Sequence, residues 1–118
     1  MMRDKIISYV KEKYATDPEY LWLKTPDTFV LRNTKNKKWY AAVLQVKKSV
    51  LIPDSEGFVD IINLKCQPLT RECLLAEEKA FPAYHMNKKL WISIILDRNV
   101  PFDIIRNIID ESYNIVNR

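Results

Sequence analysis

Ala83-Tyr84-His85-Met86-Asn87-Lys88-Lys89-Leu90-Trp91-Ile92 joins a polar turn to an apolar strand and holds the one histidine of the chain. Asn87, Lys88 and Lys89 read as the tip of a short hairpin, with residues 83–86 and 90–96 as its arms. Aromatic faces at Tyr84 and Trp91, an amide at Asn87 and two lysines make a mixture suited to surface recognition rather than to catalysis.

Upstream, the same grammar recurs. Residues 29–32 begin a strand, residues 33–37 form a polar asparagine-bearing turn, and residues 38–46 continue as a second strand with Trp39, Tyr40, Val43 and Leu44. This is a first hairpin, and Ala41 and Ala42 mark where a helix packs closely. Gly57, the single glycine, supplies a positive φ before a third strand at residues 58–65, in which Val59, Ile61 and Leu64 are assigned inward.

Helices fill the remainder. Ile6, Ile7, Val10 and Tyr14 recur at helical spacing over residues 3–14, and Leu21 or Trp22 tucks inward in the irregular segment that follows. Pro68 opens a second helix, with Thr70 as a candidate cap and Cys73, Leu74, Ala76 and Ala80 as its apolar stripe, before Phe81-Pro82 stops it. Asp97, Arg98 and Asn99 close the last strand. Pro101 then starts a third helix whose docking face is Ile105, Ile108, Ile109, Ser112 and Val116. The order is α-β(3)-α-β(2)-α. That pattern predicts an α+β fold, a two-layer sandwich with an antiparallel sheet and helices on one face.

A chain of 118 residues is one domain, residues 1–118, large enough to fold around its own core. Two cysteines and no secretory leader predict a reduced, cytoplasmic protein. No run reaches the roughly 18 apolar residues of a membrane span. The net charge is +4, and residues 28–53 lack any acidic side chain while carrying Arg32, Lys35, Lys37, Lys38, Lys47 and Lys48.

The chemistry-bearing residues point away from an enzyme. His85 lacks a nucleophile in a fitting context, since Cys66 and Cys73 have no glycine-rich elbow beside them and read as structural. The two cysteines and His85 lack metal-site spacing, so neither metal nor cofactor is expected. Glu77-Glu78 and Asp110-Glu111 point about 100° apart on a helix and read as solvated faces. One glycine leaves no phosphate-binding loop.

Nucleic-acid binding has two basic tips behind it, Lys35, Lys37 and Lys38 on the first hairpin and Lys88 and Lys89 on the second, placed to neutralise duplex phosphates. The competing reading is that these lysines only keep the turns soluble. His85 and Asn87 have a structural reading too, with the imidazole packed beside Trp91 and the amide holding the turn.

Tyr84-His85-Met86-Asn87-Lys88 followed by Trp91, together with residues 36–41, 59–66 and 109–113, resembles the signature of the YjbR/MmcQ family. The resemblance implies a YjbR-like fold, also called CyaY-like. It also implies binding to double-stranded DNA by two hairpin wings, with Lys37, Lys38, Asn87, Lys88 and Lys89 in contact. Trp39, Tyr84, His85, Met86 and Trp91 are its signature residues. The sequence departs from the family pattern at Leu90, where many relatives carry a second histidine, and at Gln67, where an acidic residue is usual. Two other readings stay open. One is a protein-interaction module similar to secretion chaperones, with an apolar patch around Tyr9, Tyr20, Leu21 and Val50; the other is a small-molecule pocket beside Tyr84, His85 and Trp91.

Overall fold

A computed structural model describes residues 2–97 and 99–118, so Arg98, assigned to the turn after the last strand, lies outside the described residues. Three helices, α1 (Met2–Tyr14), α2 (Pro68–Ala76) and α3 (Phe102–Val116), accompany strands β1 (Phe29–Arg32), β2 (Trp39–Lys47), β3 (Phe58–Lys65), β4 (Phe81–Pro82) and β5 (Trp91–Ile95). All neighbouring strands pair antiparallel, in the order β1-β2-β3-β5-β4. The α+β architecture expected from the sequence is present.

Strand parity divides the core. Phe29, Leu31, Val43, Ile62, Leu64, Ile92 and Ile94 pack with residues of all three helices, so the helices share one face. Val46, Ile61 and Ile95 form a smaller cluster on the other face, under Leu51, Ile52 and Tyr84. Two inward assignments are therefore corrected: Ile61, with Val59 against it, faces away from the helices, whereas Leu64 faces them. β3 is buried on both faces, so no polar alternation marks its inner side. A register shift opposite Leu31 and Arg32 inserts Tyr40 as a bulge, which brings both Tyr40 and Ala41 into the helical core. Ala42 turns to the opposite face.

The second hairpin differs from expectation. Residues 83–86 are not a strand; the short edge strand is Phe81–Pro82, paired to Ser93 and Ile92. Proline is tolerated at a sheet edge because its missing N–H removes no ladder bond on the open side. Residues 83–86 leave the ladder because the Tyr84 backbone bonds to side chains instead, and His85 takes a φ of +56°. Gly57 has the expected positive φ, +85°. Leu21 and Trp22 are both exposed, and Cys73 is exposed on α2, leaving Leu74 as the buried residue of that helix. Thr70 donates to Glu111 rather than capping α2.

Asp110 and Glu111 are not free solvated faces: both are half-buried and accept hydrogen bonds from other elements. Glu111 accepts from the Gln67 amide at 2.7 Å and from Thr70 at 2.9 Å. Asp110 accepts from Tyr9 at 2.7 Å, from Lys13 at 3.1 Å and from Tyr14, fastening α1 to α3. Burial pushes the Asp110 carboxyl up, but the hydrogen bonds from Tyr14, Tyr9 and Lys13 outweigh it and hold the group below its ordinary value. A depressed folded-state pKa contributes stability above the unfolded value, roughly 3.9, that is lost as pH falls through the folded one. The stability gap between wild type and Asp110→Asn, from urea unfolding, should therefore be full at neutral pH and shrink below about pH 4. A gap independent of pH would refute this role for the carboxylate.

Candidate functional site

The first basic tip is built by its asparagines. Asn33 Oδ1 accepts from the amides of Lys35 at 2.9 Å and Asn36 at 3.2 Å, a turn in which the side chain substitutes for backbone. Asn33 and Asn36 also donate to Asn117 Oδ1 and the Val116 carbonyl, both at 2.7 Å, which pins the turn to the end of α3. Lys37 has a φ of +65°, and Lys35, Lys37 and Lys38 are left exposed.

The second tip uses the same device. Asn87 Oδ1 accepts from the Lys89 amide at 2.9 Å, and the Asn87 carbonyl accepts from the amides of Leu90 and Trp91. Arg71 Nε of α2 donates to the Lys88 carbonyl at 3.0 Å. Asn87 thus turns its amide oxygen to the backbone, as its structural reading expected, while Lys88 and Lys89 remain exposed.

Ala41, Leu64 and Ile92 are register partners and form one row across the sheet. Both tips leave from the same side of that row, preceding β2 and preceding β5, with Lys65 at the end of β3 between them. One strand intervenes, so the two bases stand roughly 10 Å apart. The Lys65 ammonium lies 5.5 Å from the centre of the Trp91 ring, over a buried indole.

Behind the tips, the helix-free face carries a cleft of about 540 Å³. Its floor includes Ala42, Leu44 and Asn63; Trp22 and Trp39 stand on the β2 side, and Tyr84, His85 and Met86 come from the loop over β3 and β5. Trp22 and Trp39 meet edge to face with centroids 6.0 Å apart, while the Tyr84 and His85 rings are 4.0 Å apart. Asn63 and Ser93, register partners and both buried, place that loop: Ser93 Oγ accepts from the Tyr84 amide at 3.0 Å, and Asn63 Nδ2 donates to the Tyr84 carbonyl at 3.1 Å. Ser93 in turn donates to Asn63 Oδ1. A buried polar pair satisfied in this way holds the loop in one conformation.

The family model YjbR matches residues 11–115. The chain belongs to the YjbR family. Over 115 residues it is 44% identical to the uncharacterized protein YyaQ of Bacillus subtilis (strain 168), with 98% of each chain covered. The crystal structure of a Pseudomonas syringae protein superposes with a TM-score of 0.90 at 35% identity, again over 98% of each chain. A Deinococcus radiodurans structure with domain DUF419 is similar in fold, with a TM-score of 0.72 at 22% identity, over 98% of this chain and 78% of the other.

In this YjbR chain the signature residues Trp39, Tyr84, His85 and Met86 all border the cleft. Trp91 does not line it, and His85 packs on Tyr84, which corrects the expectation of an imidazole beside Trp91. Asn63, Ser93 and Trp22 were not singled out as site residues by sequence reasoning. A polar residue within the apolar run from Ile61 to Leu64 of β3, and within apolar β5, was the available signal for the first two. Cys66 is buried on the helical side, and burial pushes its thiol up to about 11, so it stays protonated and is separated by the sheet from His85. Among the described residues, no three histidine, cysteine or acidic side chains come together as a metal site, and no helix is long and apolar enough to cross a membrane.

Proposed function

We propose that this YjbR protein binds double-stranded DNA through its phosphates, without catalysis, by laying two cationic turns across one groove. The observation that carries this reading is that Lys35, Lys37 and Lys38 leave the same sheet end as Lys88 and Lys89, with Lys65 between. The spacing of the two bases, roughly 10 Å, is on the order of a major-groove width of roughly 12 Å. Each turn is anchored to a helix, the first to α3 and the second to α2, so little ordering is lost on contact. Arg71 Nε of α2 is engaged by the Lys88 carbonyl and Asn117 Oδ1 by Asn33, and the exposed cations carried by the two turns are lysines, which favours phosphate contact over base reading.

The alternative as a chaperone-like interaction module is less well supported. Tyr9 packs on the helical side and Val50 borders the cleft on the other, so they do not share one apolar patch with Tyr20 and Leu21.

Fluorescence anisotropy of a labelled random duplex tests the proposal. With about four phosphates neutralised, affinity should fall roughly 10²-fold between about 50 and 200 mM salt. Absence of binding at the lower salt would leave the lysines as solubilising turns.

A further inference from the structure

The helix-free face is where an exposed sheet would be expected, and the chain instead clips an aromatic loop across it and leaves a cleft. Five of the bordering side chains carry rings: Trp22, Trp39, Phe58, Tyr84 and His85. Several of these are open to a visitor, Phe58 being 64% and Trp22 40% exposed. Among the described residues, the lining includes Lys47 and no carboxylate. An aromatic cavity in a positive field favours a ligand that is both planar and anionic.

The chain also ties the cleft to the basic tips. Lys37 and Lys38 run directly into Trp39, one residue step or roughly 3.8 Å from Lys38. His85 lies three positions before Lys88 on the other tip. A phosphate held at either tip therefore brings its own nucleotide to the mouth of the cleft. Bases inside an intact duplex are paired and stacked and cannot enter; an unpaired base can, and aromatic side chains behind a cationic track are the usual means of holding one.

We infer that the cleft receives an unpaired nucleobase, so that the protein prefers single-stranded or locally opened DNA to an intact duplex. This rests on the phosphate-binding reading above and adds what the cleft does. Trp22 and His85 are open platform edges near the tips, Trp39 and Tyr84 are the deeper walls, and Asn63 is committed to fixing the loop.

The test uses the full chain and three labelled DNAs of one length: a single strand, a perfect duplex, and a duplex with a central unpaired bubble. The single strand and the bubble should bind about tenfold tighter than the perfect duplex and quench tryptophan emission, which the perfect duplex should do weakly. Trp22→Ala should erase the preference while duplex affinity persists. His85→Asn, which removes the exposed ring beside the second tip and tolerates the positive φ there, is an independent variant with the same expected outcome. Equal affinity for all three DNAs without differential quenching would overturn the inference and leave phosphate binding intact. No binding of any DNA would overturn both. Quenching by an apolar peptide, with no response to DNA, would overturn it in favour of a protein partner.

Discussion

Ser112→Ala should lower the free energy of unfolding by about 2–4 kcal/mol, although alanine is the better helix former by about 0.5 kcal/mol. Ser112 is fully buried on α3, where its hydroxyl accepts from the Lys65 amide at 2.9 Å and donates to the Tyr40 carbonyl. The β2–β3 ladder reaches Ala41 and Leu64 and then splays at the Tyr40 bulge, so one hydroxyl replaces the next pair of bonds. Removing it strands a donor and an acceptor away from water, at about 1–3 kcal/mol each. Urea unfolding at constant m is the measurement; unchanged or increased stability would show that water reaches the gap.

Lys37→Glu combined with Lys88→Glu should reduce duplex affinity at low salt by about 10²-fold or more and lower the salt slope by about 2. Thermal stability should barely move, because both side chains are exposed and neither belongs to an ion pair among the described residues. Lys5→Glu with Lys11→Glu makes the same change in net charge on α1 and should cost far less affinity. Equal losses in the two double variants would trace binding to net charge alone, and retained affinity in the first would sink the two-turn arrangement.

The same lysines show how much of the site was legible in advance. An Asn-rich polar interruption between β-prone runs specifies a turn locally, so both basic tips were readable. Their common direction was not, because it depends on β3 lying between β2 and β5. His85 was visible as a singular residue, but its neighbour is set by the positive φ and by a clip from side chains at positions 63 and 93. The carboxylates Asp110 and Glu111 looked solvated because a helical pattern reveals spacing and not which neighbouring element supplies donors.

The sequence by itself determined the family, the order of helices and strands, the apolar face of α3 and the two cationic turns. Each of these rests on local periodicity, turn chemistry or a contiguous motif. Only the tertiary structure decided which side of β3 meets the helices, since Ile61, Ile62, Asn63 and Leu64 are all buried and parity alone does not name a side. It also decided that Phe81–Pro82 and not residues 83–86 forms the edge strand, and that Trp22, Trp39 and Tyr84 share one cleft. The physical reason is the same throughout: those outcomes depend on hydrogen bonds and packing between residues distant in the chain, which no local pattern records.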